Sequence, residues 1–266
     1  TDTSQDPREF HHQDPVLTSY EGLLPGMTSG VTLTENPLSW IADLISKGYD
    51  PSLNEHKVYV PVPNYPEAEN RGVTFPPPVY SNEDSSTTFL TDELLKWLSV
   101  REDENWFVHL SYFRPHPPWI APEPYNSMYD PADVSKPVRM KSLEQEGEQH
   151  PLLKMLLAKI PGNIFFPNTY EGLAAETSEK DVLQARATYY GLITEIDHHL
   201  GRLISYLKKS GQYESTLIVF TSDHGEQLGD HYLFGKTGYF DESYAIPLII
   251  RNPEITPPTS LNSNAD

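Results

Sequence analysis

Thr216-Leu217-Ile218-Val219-Phe220-Thr221-Ser222-Asp223-His224-Gly225-Glu226 is the stretch that decides the fold. Residues 216–221 are β-branched or apolar without alternation. That pattern predicts a strand buried on both faces, as in a parallel sheet covered by helices. The apolar run stops at Ser222, and a carboxylate and an imidazole follow at once. In open α/β sheets ligands bind just beyond the carboxyl ends of the strands, where Asp223 and His224 are expected to lie. The pair offers oxygen and nitrogen donors to a divalent metal. The competing reading is a turn with a capping Asp and an incidental His.

Working outward, helical and strand patterns flank this stretch. Residues 179–210 carry the clearest helical stripe, through Val182, Ala185, Tyr189, Ile193, Ile196, Leu200, Leu203, Ile204 and Leu207, and Gly211 ends it. A helix feeding directly into a strand is a normal α/β step. A last apolar strand is expected at 246–250. Upstream, Asn36-Pro37 reads as a helix entry, with Leu38, Ile41, Ala42, Leu44 and Ile45 at helical spacing and Gly48 as the stop. A second helix is expected over 88–100. Residues 106–112 form a second candidate for a buried strand, with His109 as a core histidine inside it. Residues 1–35 are polar and irregular. Residues 49–87 are proline-rich and read as an extended excursion rather than a linker. Residues 120–180 read as loop with one short helix near 152–157, a candidate lid or contact surface for a homo-oligomer. The element order predicts an α/β fold with a mostly parallel central sheet flanked by helices.

Composition narrows the classes of function. The net charge of -19 argues against broad binding to nucleic acid or to an anionic membrane. There is no cysteine, which excludes disulfides, thiolate metal sites and a cysteine nucleophile within these residues. No apolar run reaches the roughly 18 residues that a membrane span needs. The first residues show no signal-peptide pattern, so a cytoplasmic location is expected, although Thr1 does not look like a natural start.

Two further positions complete a chemical set. Lys236 follows Asp223 by thirteen residues, in Gly235-Lys236-Thr237-Gly238-Tyr239. Glycines around a lysine let it approach a ligand closely. A cation there neutralises charge on a transferred phosphoryl or sulfuryl group or on its leaving oxygen. His116 sits in Phe113-Arg114-Pro115-His116-Pro117-Pro118-Trp119, at the end of the second strand candidate, where prolines on both sides restrict the backbone. Asp223 and His224 as metal ligands, with Lys236 and His116 as cations, fit hydrolysis of a small anionic ester.

These motifs resemble the sulfatase family of the alkaline phosphatase superfamily. The resemblance is carried by Thr221-Ser222-Asp223-His224-Gly225-Glu226, Gly229-Asp230-His231, Lys236 and Phe240-Asp241-Glu242-Ser243-Tyr244. Together with His109-Leu110-Ser111-Tyr112-Phe113-Arg114-Pro115-His116-Pro117-Pro118, the pattern is most similar to the phosphonate monoester hydrolase and phosphodiesterase branch. It covers residues 89–253. The resemblance implies that Asp223 and His224 bind one divalent metal ion (manganese, calcium or magnesium). It implies that His116 and Lys236 contact the transferred or leaving group. The substrates it implies are phosphonate monoesters, phosphodiesters or sulfate esters.

The family also carries metal-binding acids on an early strand and a nucleophile in a Cys- or Ser-x-Pro-x-Arg motif, often converted to formylglycine. Neither is found at the expected place. The chain is therefore expected to be the middle portion of an alkaline phosphatase-like domain spanning 1–266, with the nucleophile upstream and a C-terminal subdomain downstream. Ser135-Lys136-Pro137-Val138-Arg139 matches the nucleophile motif literally but follows His116, whereas the family's nucleophile precedes that position. Asp197 and His198 lie mid-helix and read as a helix face or a structural hydrogen bond. Asp230 and His231 read either as support for the metal ligands or as solvated loop. The alternative to a hydrolase is a catalytically inactive metal-binding or scaffold domain lacking the nucleophile.

Overall fold

A computed structural model describes residues 27–31, 33, 37–101, 104–167 and 170–255. Helix α1, Leu38–Ser46, buries Trp40, Ile41 and Leu44. It ends where Gly48 adopts a left-handed φ of 96° and Tyr49 N–H reaches back to Leu44 O. Asn36, the expected cap, lies outside the described residues. Helix α2, Ser86–Ser99, starts two residues earlier than its pattern predicts, because Ser85 caps it by accepting from Thr88 N–H. The proline-rich excursion between these helices packs as expected of a folded segment. Val58, Tyr59 and Tyr80 join Trp40, Leu44 and Ile120 in one core cluster.

Among the described residues of 120–180 there are two short α-helices rather than one: α3, Leu143–Glu148, and α4, Pro151–Leu157. α3 has no apolar stripe to announce it. Its start is set instead by the Ser142 cap, and α4 opens on Pro151 with the His150 ring accepting from Leu152 N–H. The 31-residue helix α5, Glu179–Lys209, matches its predicted span, with Ser178 as the N-cap and Gly211 at φ 74° just past its end. A final short helix, α6, spans Asp241–Tyr244.

Strands β1, Ile218–Thr221, and β2, Leu248–Arg251, form the one sheet among the described residues. They pair antiparallel, Ile218 opposite Arg251 and Thr221 opposite Leu248. The expected parallel central sheet is thus not seen in these residues, and β1 is not buried on both faces. Val219 is 53% exposed, and Ile250, opposite it on β2, 57%. Two-sided burial needs a layer on each face and further strands at the edges, and the described residues supply no third strand. For the same reason residues 106–112 run extended but join no ladder, and His109 is exposed rather than held in a core.

The core that positions the site is aromatic. Trp119 packs against Phe165, Phe166 and Phe234 with ring centroids 6.0, 5.6 and 5.6 Å away. This group sits on Val182, Ala185 and Leu192 of α5. Trp119 and its neighbour Ile120 enter two different clusters. Among the described residues no helix is long and apolar enough to cross a membrane.

Candidate active site

The loop that leaves β1 carries Asp223, His224 and, after a tight excursion, Lys236. Asp223 Oδ1 accepts from His224 N–H at 3.0 Å, and its Oδ2 lies 3.5 Å from His224 Nε2. His224 Nδ1 is 2.7 Å from Gly225 O. A carbonyl only accepts, so Nδ1 carries the proton and Nε2 keeps a lone pair. Lys236 Nζ approaches that Nε2 at 3.1 Å. Three of the four residues singled out in sequence are thus brought together. A fixed tautomer with a second donor oxygen beside it is how a His–Asp pair is prepared for a cation. Among the described residues no group of three or more His, Asp or Glu side chains gathers to hold a metal.

The approach of Gly225 to the α6 region explains why a glycine follows His224. A Cβ at Gly225 would stand 2.0 Å from Glu242 O, while Gly225 N–H donates to Ser243 O at 2.8 Å. Gln227 is fully buried and donates through Nε2 to Ser243 Oγ at 2.6 Å. Glu226 Oε1 accepts from Leu228 N–H at 3.1 Å and Gly235 N–H at 2.6 Å. Burial pushes the Glu226 carboxyl up to about 7, the backbone donors and Lys236 partly opposing it. Tyr189 on α5 is raised as well, chiefly by burial and then by the negative charge of Glu226 and Asp223. Glu226 closes the sequence motif without a role assigned to it, and Gln227 lies just outside that motif. The signal for Glu226 was its place, directly after Asp223-His224-Gly225 and before the lysine loop.

His116 stands apart from that hydrogen-bonded set, on its own loop. Its Nδ1 is 2.7 Å from Pro117 O, and its ring lies on Phe113 with centroids 4.5 Å apart. The buried Arg114 braces this loop, donating through Nη1 to His116 O at 2.9 Å and Pro118 O at 2.8 Å, with its guanidinium over the Tyr59 ring. Arg114 is therefore structural here, a role that its Pro-flanked position did not announce. The physical link between the two loops is the aromatic core. Trp119 lies three residues after His116 and Phe234 two before Lys236, and the two rings are in contact.

Of the remaining sequence candidates, Asp197 is exposed, and the others have structural partners. Asp230 forms a partly buried ion pair with Arg186 at 2.6 Å. His231 Nδ1 meets Glu146 Oε1 at 2.9 Å and its ring stacks on Phe240 at 3.7 Å. Neither supports Asp223 or His224 directly. Ser135 Oγ accepts from Arg186 Nη1 at 3.0 Å. His198 Nδ1 pairs with Tyr125 OH at 2.6 Å.

Comparison with known proteins gives the family. The profile described as Sulfatase matches residues 46–266. The chain is 40% identical over 254 residues to the multifunctional alkaline phosphatase superfamily protein PehA of Trinickia caryophylli, covering 95% of this chain and 48% of that protein. It is 30% identical over 168 residues to an arylsulfatase of Clostridium perfringens, covering 63% of this chain and 32% of that one. The phosphonate monoester hydrolase structure of Agrobacterium radiobacter superposes with a TM-score of 0.85 at 41% identity, over 93% of this chain and 48% of that one. The corresponding structure from Silicibacter pomeroyi gives 0.84 at 40%, over 96% and 49%. The chain thus spans about half the length of PehA and of the two phosphonate monoester hydrolases, and the folds of the latter place it in the α/β class. By the span of the profile and the identity to these proteins, this chain belongs to the sulfatase family.

Proposed function

We propose that this chain supplies part of the active centre of a metal-dependent hydrolase acting on phosphonate monoesters and phosphodiesters. The observation that carries the reading is the convergence of Asp223 Oδ2, His224 Nε2 and Lys236 Nζ at the end of β1. The donor set fits a divalent ion, since an anionic oxygen and an imidazole lone pair face the same side. Asp223 and His224 would hold it, and manganese suits a mixed oxygen and nitrogen set better than calcium does. Hard divalent ions take about six donors, so these two are a partial set. When bound, the ion would supply Lewis acidity toward the ester's oxygens.

The chain's own residues do the rest. The His224 lone pair serves one cation at a time. Lys236 is the exposed partner on a flexible stem, and it turns toward the substrate's non-bridging oxygens. There its charge stabilises the negative charge that builds up in the transition state. His116, its Nδ1–H on Pro117 O and its ring on Phe113, donates from Nε2 as the imidazolium to the leaving oxygen. The phosphorus reading is favoured over sulfate esters by 41% and 40% identity to the two phosphonate monoester hydrolase structures, against 30% to the arylsulfatase.

The test is calorimetric titration with Mn²⁺ followed by assays with 4-nitrophenyl phenylphosphonate, bis(4-nitrophenyl) phosphate and 4-nitrophenyl sulfate. Asp223→Asn and His224→Gln are each expected to weaken Mn²⁺ binding at least ~10-fold. Lys236→Ala is expected to lower turnover by ~10²–10³-fold with the melting temperature unchanged. Equal loss of turnover and stability would remove Lys236 from its role. Metal binding with no turnover of any of the three esters would favour a metal-binding domain without catalysis.

A further inference from the structure

We propose that Glu226 is a positioning residue for Lys236, tying the backbone beside the lysine to the segment that carries His224. This inference rests on the reading that Lys236 and His224 share one site. The excursion from His224 to Lys236 is twelve residues long and crosses itself at one point. Glu226 Oε1 takes Gly235 N–H at 2.6 Å and Leu228 N–H at 3.1 Å. Gly235 O in turn accepts from Gln227 N–H at 3.0 Å. Both backbone polar groups of the residue preceding Lys236 are thus held by the two residues that follow Gly225.

The crossing leaves Gly235 little room. Its φ is 71°, and a Cβ there would stand 2.8 Å from the Phe165 ring. Shifting Gly235 away from Glu226 would therefore push it along an aromatic wall. The other end of the excursion is fixed by Gly225 N–H and Gln227 Nε2, both on Ser243. Between these two ties the Lys236 side chain is delivered to His224 Nε2 at 3.1 Å. Glu226 does this through backbone donors and does not itself face the reacting group. One Glu226 oxygen accepting from two backbone N–H groups ties both sides of the crossing at a single atom. A Gln oxygen preserves the acceptor, a Leu removes it, and an Asp is one methylene too short to reach Gly235.

The experiment reads the His224 ring directly, in the whole chain labelled with ¹⁵N-histidine and without metal or substrate. The His224 Nε2 resonance reports the hydrogen bond from Lys236, and Lys236→Met gives its value when that bond is gone. In Glu226→Leu and Glu226→Asp the resonance is expected to move to the Lys236→Met value. In Glu226→Gln it is expected to stay with the parent. The double variant Glu226→Leu with Lys236→Met is expected to match Lys236→Met alone, since both remove one contact. A parental His224 resonance in folded Glu226→Asp overturns the proposal. So does a Glu226→Gln variant that behaves like Lys236→Met. Should Glu226→Leu fail to fold, the Asp and Gln variants still decide. The measurement involves no turnover, so its failure is separate from failure of the hydrolase reading.

Discussion

His199 is 4% exposed on the inner side of α5. Arg202 Nη1 donates to its Nδ1 at 3.1 Å, so Nε2 carries the proton and donates to Thr88 Oγ1 at 3.1 Å. Burial first, and the Arg202 charge second, lower its pKa from 6.5 to about 4, against a smaller opposing pull from Asp92. The unfolded chain therefore binds more protons than the native one between those values. Stability rises with pH across that window. The neutral ring's contribution is fully present above pH 6.5, shrinks as pH falls toward 4, and is gone below that. One pKa unit corresponds to ~1.4 kcal/mol, so the full window is worth on the order of 3 kcal/mol at most. Urea unfolding at stepped pH should show this slope, and His199→Gln should flatten it relative to the parent. The difference between the two proteins isolates His199 from the carboxylates that titrate nearby. An unchanged slope would mean that the ring is protonated in the native state.

The two interior glycines of α5 separate helix propensity from packing. A Cβ at Gly191 would lie 2.1 Å from the backbone oxygen of Tyr125, whereas Gly201 has nothing within 4 Å. Alanine in an exposed helix interior is favoured over glycine by ~1 kcal/mol, so Gly201→Ala should stabilise the chain by about that amount. Gly191→Ala carries the same propensity gain but drives a methyl group into backbone that cannot rotate away. Overpacking of this kind costs ~1–3 kcal/mol, so its net effect should be destabilising. Equilibrium unfolding of the two variants should give opposite signs. The same helix shows what the sequence makes legible. Ser178, the 3.6-residue stripe and Gly211 define its ends locally, and its predicted span agrees with the structure to within one residue. α3 was missed because Leu-Glu-Gln-Glu-Gly-Glu has no apolar face; it is held by the Ser142 cap and by the buried Glu146, which accepts from Met140 N–H. The apolar run of β1 was legible as a strand, but its partner's direction was not, since β-branched residues suit either orientation. In the site, Asp223, His224 and Lys236 were legible because they follow a strand end and a Gly-Lys turn. Glu226 was not given a role, because its function lies in backbone contacts nine residues away along the chain.

At the scale of the molecule, segment 119–121 joins two cores that otherwise recruit different parts of the chain. Trp119 and Ala121 enter the cluster built on α5, and Ile120 enters the one built on α1. A defect at either position should therefore be felt by both loops of the site, since His116 precedes this segment and Phe234 rests on Trp119. Removing the indole leaves a large cavity, and Trp119→Ala should cost ~3–5 kcal/mol. Phenylalanine should behave otherwise. The buried Trp119 Nε1 has no hydrogen-bond partner among the described residues, and an unsatisfied buried donor carries a penalty of ~1–3 kcal/mol. Trp119→Phe relieves that penalty while keeping most of the contact with Phe165 and Phe166, so it should come within ~1 kcal/mol of the parent by partial cancellation against the lost volume. Far-UV circular dichroism and Tyr fluorescence, followed through urea unfolding of Trp119→Phe, should report one coincident transition, because the two cores share a covalently continuous seam. Two separated transitions would show that the α1 cluster unfolds on its own. A cost for Trp119→Phe near that of Trp119→Ala would place a bonded partner on the indole nitrogen.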